Sequence, residues 1–354
     1  MKRLIVCCDG TWQDLNTAFP TNVVKMCQAI QPVANDGCRQ SIFYGRGLGT
    51  RPRDRLPGGA LGRGIDLEIQ DAYLFLCLNY EPGDELYLFG YSRGAYTVRS
   101  VIGLINCSGL LKRHNTRKLQ QAYKIYRDPE IKPSHPIAQA FRAENGNRVS
   151  ITLLGCWDTV GSLGIPDLVP WLPLNNWINR QYQFHNTTLS RIIQRALHAV
   201  AIDERRRVFD LTPMEQNPEH TGQLLRQVWF PGNHGCVGGG AAATQELSNA
   251  TFLWMIQQIS QLGLGLGLDT SPVEAGVDVD HRCDFQNKTG LFGALGGTIW
   301  RQIPAKSFKL LHESAQWRWC DRSDYRPANL RQYEANLDAQ CQNGLRRLNE
   351  NARN

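Results

Sequence analysis

The strongest constraint on what this chain can fold into is a succession of short apolar runs, each stopped by a glycine-rich or polar turn. Leu4–Cys8 stops at Asp9-Gly10-Thr11, and Ile42-Phe43-Tyr44 runs into Gly45-Arg46-Gly47-Leu48-Gly49. Leu86–Phe89 leads to Gly90, Ile151–Leu154 to Gly155-Cys156-Trp157-Asp158, and Leu225–Phe230 to Pro231-Gly232-Asn233-His234. A strand with one wet face alternates apolar and polar residues. Continuous apolarity instead means burial on both faces, as in a parallel sheet. Between the runs lie segments of helical period: Ile65, Ile69, Ala72, Tyr73 and Leu76, then Ala95–Ile105, Leu189–Ile202 and Leu247–Ile259. Asp66 is expected near the start of the first, where a carboxylate can satisfy free amides. Strands alternating with helices predict an α/β fold with a doubly wound, mostly parallel sheet. In such sheets functional residues gather at the strand C-termini.

Composition excludes the competing classes. The 354 residues are 42% hydrophobic and 20% charged, an ordinary globular balance that rules out a disordered or fibrous chain. No window approaches the roughly 18 consecutive apolar residues of a membrane span. The run after Lys2-Arg3 ends at Asp9, short of the about 7–15 residues of a secretory core, so a cytoplasmic location is expected. The 11 cysteines include no CxxC pair, which predicts free thiols rather than a disulfide framework or a metal site. A net charge of +7 suits anionic ligands or a membrane surface, and equally a mixed surface.

Three segments interrupt the rhythm. Arg46–Arg63 carries Arg46, Arg51, Arg53, Arg55 and Arg63, either a solvated surface or a rim that grips anions. Ile165–Phe184, rich in proline and aromatics, is expected to cap the site or to pack in the core. Leu262–Leu268 alternates leucine and glycine and reads as a turn. Arg205-Arg206-Arg207 closes the third helical pattern, where it would cap carbonyls or pair with Asp203 and Glu204. No nucleic-acid motif accompanies it. Residues 1–341 read as one domain with excursions, and 342–354 as a polar, fraying tail.

The chemistry concentrates in Gly90-Tyr91-Ser92-Arg93-Gly94, a G-x-S-x-G match placed after a strand and before a helix. Such a turn lifts a serine hydroxyl above the sheet edge, as in α/β-hydrolases, and lets the next amide, that of Arg93, face a developing oxyanion. A serine nucleophile needs a base, and the base needs an orienting carboxylate, in the chain order Ser, Asp, His. Asp158 and His234 both fit, each just past a predicted strand, with Asp203 the rival acid. His198 sits in a helical pattern and reads as a satisfied core residue. Gly10 and Thr11 are the candidates for a second oxyanion donor, unless Asp9-Gly10 is a plain turn in which Asp9 caps local amides. Cys156 and Cys236 lie near the proposed site, but neither sits on such a turn. The reading is a serine hydrolase of carboxylic esters that needs neither metal nor organic cofactor. Its partners would be an ester or lipid substrate and a peripheral membrane surface, not nucleic acid. The alternative is a catalytically silent scaffold of the same fold that binds a ligand or protein.

The strings CDGTWQDLN, YGRGLGT, YLFGYSRGAYTVRS, CWDTVGS, HAVAIDERRRVF and WFPGNHGCVGGG follow in that order. Together they resemble a family of α/β-hydrolase domain proteins that includes the catalytic domain of type VI secretion phospholipase effectors. The resemblance runs from about Arg3 to Ala328 and implies a serine esterase or lipase fold. It places the family's nucleophile on Ser92, its acid on Asp158 and its histidine on His234. The later Leu311-His312-Glu313-Ser314 and Tyr325-Arg326-Pro327 also fit, with a structural role. The chain departs from the family at Cys236, where an aspartate is usual, and near Gly45-Arg46, where an acidic residue is usual.

Overall fold

The computed structural model describes residues 1–11, 13, 15–47, 59–161, 187–271, 278–287 and 297–351, with backbone alone for 59–63 and 343–351. The predicted apolar runs form strands. In chain order these are β1 (Lys2–Cys8), β2 (Arg39–Gly45), β3 (Glu85–Tyr91), β4 (Leu110–Leu111), β5 (Gly146–Asn147), β6 (Leu153–Trp157), β7 (Arg195–Ala201) and β8 (Leu224–Phe230). Six of them make one sheet in the order β2-β1-β3-β6-β7-β8, with every pairing parallel. β4 and β5 form a small antiparallel pair beside it.

Alternation along each strand divides the core between the two faces. Leu4, Val6 and Cys8 of β1 join Leu86 and Leu88 of β3 under α2 (Gly59–Asn79), α3 (Arg93–Ser108), α4 (Leu119–Arg127) and α5 (Pro136–Asn145). Ile5 and Cys7 point the other way. They pack with Tyr87, Phe89, Trp157 and Leu197 against α1 (Asn22–Ala29) and the long helix Gln245–Gln261. The glycine–leucine stretch is a turn that tucks Leu264 and Leu266 into this second layer. A third cluster joins Val200 and Trp229 to Leu311, Trp319, Leu330 and Tyr333, so the C-terminal segment covers the β8 side of the sheet. Among the described residues, no helix is long and apolar enough to cross a membrane.

Four expectations are corrected. Leu189–Ile202 is not a helix: its second half is β7, hydrogen-bonded between β6 and β8 and almost wholly buried. The apolar residues of Arg195–Ala201 satisfy helical and strand periods equally, and the two flanking strands decide the matter. The helix holding Asp66 begins at Gly59, so Asp66 lies beyond its first turn and accepts the Tyr123 hydroxyl instead (2.6 Å). Of the 11 cysteines, Cys320 and Cys341 are joined in a disulfide, and nine are free. The expected tail from 342 is helical to Asn351, as part of the helix Glu334–Asn351. The cap segment Ile165–Phe184 and Arg51, Arg53 and Arg55 lie outside the described residues, and Arg46 is exposed.

Candidate active site

The C-terminal ends of β3, β6 and β8 bring three distant side chains together. Ser92 occupies the turn between β3 and α3, with backbone angles φ 57° and ψ −120°. The two glycines of the motif are what the packing requires. A Cβ on Gly90 would stand 2.5 Å from the Gly94 carbonyl oxygen, and one on Gly94 would stand 2.0 Å from that of Cys8. The turn is therefore pressed against the end of β1, and the Ser92 amide is pinned to the Trp157 carbonyl at 3.0 Å. Asp158, at the end of β6, also has positive φ (43°). Among the described residues, Ser92 and Asp158 are the two non-glycine positions in that costly region, and strain of this kind clusters at functional sites.

His234 opens α6 (His234–Gly238), whose free amides at Gly235 and Cys236 are capped by the Asn233 side chain. Its ring lies between Tyr91 and Phe209, with centroids 4.8 and 4.9 Å away. The Tyr91 hydroxyl donates to its carbonyl (3.2 Å), and its amide donates to Glu204 (3.1 Å). With the ring so fixed, Nδ1 meets Asp158 Oδ2 at 2.6 Å and Nε2 meets Ser92 Oγ at 2.7 Å. An ionised carboxylate can only accept, so Nδ1 carries the hydrogen and Nε2 is left to accept from the hydroxyl. Ser92 and His234 are 4% and 6% exposed, whereas Asp158 is fully buried.

Burial opposes the charge of Asp158, but the Arg301 guanidinium and the hydrogen bond from His234 outweigh it. Together they hold the carboxyl well below the usual carboxylate range. Asp158 Oδ1 also accepts the Ala201 amide at 2.9 Å. Asp203, the rival acid, does not reach the imidazole. It accepts the Gly232 amide (2.7 Å) and the Tyr325 hydroxyl (2.8 Å), and burial pushes its carboxyl up to about 6. Glu204 pairs with Arg206 at 2.7 Å, one of the two predicted arrangements, although no helix precedes it.

The two amides expected to serve an oxyanion differ in their surroundings. The Arg93 amide occupies the first position of α3, where the helix offers it no acceptor four residues back. The Gly10 amide does not face Ser92, because it donates to Asp9 Oδ1 at 2.7 Å. Asp9 also accepts from Thr21 and Tyr44, so the turn-and-cap reading describes it. Gly10 serves by being small: a Cβ there would stand 2.9 Å from the Tyr91 ring and 3.4 Å from Ser92 Cβ. The Thr11 hydroxyl is buried without a hydrogen-bond partner among the described residues. Glu68, from α2, lies against Cys8 and Gly45, and its carboxyl is pushed up to about 8 by burial, with Asp9 adding to the effect.

Cys156 and Cys236 are buried, and burial raises both thiols to about 12, which leaves little thiolate at neutral pH. Among the described residues no group of acidic, cysteine or histidine side chains could hold a metal ion. Arg301 escaped the sequence reading altogether. It lies 143 residues from Asp158, in Thr298-Ile299-Trp300-Arg301-Gln302, a string with no motif and no periodicity to mark it.

Set against known proteins, residues 2–258 match the family described as T6SS, Phospholipase effector Tle1-like, catalytic domain. The uncharacterized protein YEL023C of Saccharomyces cerevisiae is 29% identical over 245 residues, which is 62% of this chain and 34% of that protein. A crystal structure of an uncharacterized protein from Pseudomonas aeruginosa is 15% identical with a TM-score of 0.47, covering 90% of this chain and 57% of that one. The Tle1 effector bound to the VgrG spike from the type 6 secretion system is 16% identical with a TM-score of 0.36, covering 70% and 52%. The chain thus spans about a third of the curated relative's length and little more than half of these two solved chains.

Proposed function

The chain belongs to the family of Tle1-like phospholipase-effector catalytic domains, and on that premise we propose that it is a serine hydrolase of carboxylic esters, with lipid or acyl esters as its substrate class. The observation that carries the reading is the unbroken chain Ser92 Oγ, His234 Nε2, His234 Nδ1, Asp158 Oδ2, with links of 2.7 and 2.6 Å and positive φ at both Ser92 and Asp158.

Each part of that chain has work to do. The Ser92 hydroxyl attacks the ester carbonyl while His234 Nε2 takes its proton, and Asp158 holds the imidazole in the tautomer that makes this possible. The oxyanion that forms lies beside the Arg93 amide at the positive end of α3, and the Thr11 hydroxyl, without a partner among the described residues, is our candidate for the second donor. Collapse expels the alcohol, which takes its proton from His234. Water then enters and repeats the sequence on the acyl-enzyme. The apolar walls of Tyr91 and Phe209 keep the imidazole from turning away between the two steps. The lipid preference rests on family membership, and a panel of p-nitrophenyl esters and phospholipids would define chain length and head group.

A fluorophosphonate probe tests the chemistry directly. The wild type should gain one adduct on the peptide that carries Ser92, and Ser92→Ala should gain none. Equal labelling of both, or a folded wild type that takes no label, would leave the silent binding scaffold as the better reading.

A further inference from the structure

Arg301 lies beyond the residues matched to the family. Its Nη1 donates to Asp158 Oδ1 at 2.6 Å and its Nη2 to Oδ2 at 3.0 Å, so it grips the carboxylate with both prongs. The same two nitrogens donate to the carbonyls of Ala201 (3.0 Å) and Phe209 (2.6 Å). Arg301 is 3% exposed. Its own carbonyl is held by the Asn329 side chain (3.2 Å), which also reaches the Ile202 carbonyl at 2.8 Å. Oδ2 therefore serves His234 and Arg301 at once.

We propose that Arg301 is a positioning residue that sets the basicity of His234 by sharing the charge of Asp158. The inference rests on the hydrolase reading above. A buried carboxylate favours a positive charge beside it, and without Arg301 more of that demand would fall on the imidazole. A proton held there is one the ring cannot take from the serine. A guanidinium compensates the carboxylate permanently, and its positive charge behind Asp158 disfavours a second one on His234. The result is an aspartate that can orient the ring without trapping a proton on it.

Other charged or titratable groups face this pair. Tyr91 comes from β3, and His198 from β7. The Glu204–Arg206 pair comes from the segment after β7. All are unchanged in Arg301 variants, so a difference between variants isolates the guanidinium.

The test is the pH profile of kcat/KM on a p-nitrophenyl ester for the wild type, Arg301→Lys and Arg301→Gln, with fluorophosphonate labelling in parallel. In Arg301→Gln the acid limb should move up by about one pH unit, roughly a tenfold relative loss on the acid side. Arg301→Lys should bring the limb back toward the wild-type position at a lower rate, since an ammonium keeps the charge but not the two-pronged grip. A rate that falls equally at every pH, with the limb unmoved, would make Arg301 a structural clamp and overturn the proposal. If Arg301→Gln does not fold, Asn329→Ala carries the test. It loosens the Arg301 backbone without touching the site and should shift the limb the same way by less, and an unmoved limb there is equally fatal. A wild type that takes no label would instead sink the hydrolase reading.

Discussion

His234 and His198 are both buried, both engaged at each ring nitrogen, and both served by the loop that leaves β6. Asp158 meets the first, and its neighbour Thr159 meets the second. At His198, Nε2 accepts the Thr159 amide (3.1 Å), so the hydrogen must sit on Nδ1, which faces Gln227 Oε1 at 3.0 Å. Burial, with Arg99 nearby, pushes this imidazole down to about 3. It is locked neutral, and its accepting nitrogen is already occupied. At His234 the partner on Nδ1 is a carboxylate, and the partner on Nε2 is a hydroxyl that can lose its proton. Neither burial nor the number of hydrogen bonds distinguishes the two rings. The identity of the two partners does.

The sharpest way to break the comparison is to remove each ring. His234→Ala should lower kcat on an ester by about 10⁶, the scale of losing a triad member. His198→Asn should leave kcat/KM within tenfold, but should cost about 1–3 kcal/mol of stability in urea unfolding, because the Thr159 amide and Gln227 lose their partner. If the two variants exchanged these effects, the base would be His198.

Removing what each ring leans on is the next test. Asp158→Asn should cut kcat by about 10⁴ with the fold intact. Thr159→Val keeps the amide that serves His198 and should cost less than tenfold in rate. Asp203→Asn belongs with Thr159→Val, since its carboxyl holds Gly232 and Tyr325 rather than the imidazole. A loss for Asp203→Asn as large as that for Asp158→Asn would break the assignment of the acid.

The smallest expected effect is one of pH. Folded His198 titrates at about 3, whereas the unfolded side chain titrates near 6.5, so below about 6.5 the unfolded chain binds a proton that the native state refuses. Its contribution to stability is complete above that pH and drains away as pH falls toward 3, by at most about 1.4 kcal/mol per pH unit. His312, lowered to about 4 by burial, adds to the same slope. Urea midpoints at pH 7, 6 and 5 should therefore fall less steeply in His198→Asn than in the wild type. Parallel slopes would mean that His198 is already protonated when folded.

Much of this arrangement was legible in the residues alone. β1 and β3 were visible because a strand buried on both faces has no polar residue to break its run, and β8, at the sheet edge, was visible from Val228-Trp229-Phe230 despite Arg226 and Gln227. The Ser92 turn was visible because its glycines are imposed by backbone contacts as close as 2.0 Å. β7 was misread, because Arg195–Ala201 carries apolar residues that suit either period until β6 and β8 are placed beside it. The sequence does not tell that the Asp9 carboxylate accepts the Gly10 amide. The Cys320–Cys341 link was missed because cysteine spacing does not say which helices meet.

The sequence by itself determined the layers and the order of the sheet's chemistry: a hydroxyl, a carboxylate and an imidazole, each at the end of a run whose apolarity forces it inside. These are local properties, carried by windows of ten residues or fewer. Only the tertiary structure decided which carboxylate would touch which ring, that a guanidinium 143 residues from Asp158 would share it, and that two neighbouring loop residues would give two histidines opposite characters. Such choices turn on distances of an ångström between segments far apart in the chain, and no residue pattern encodes a distance before the core has closed around it.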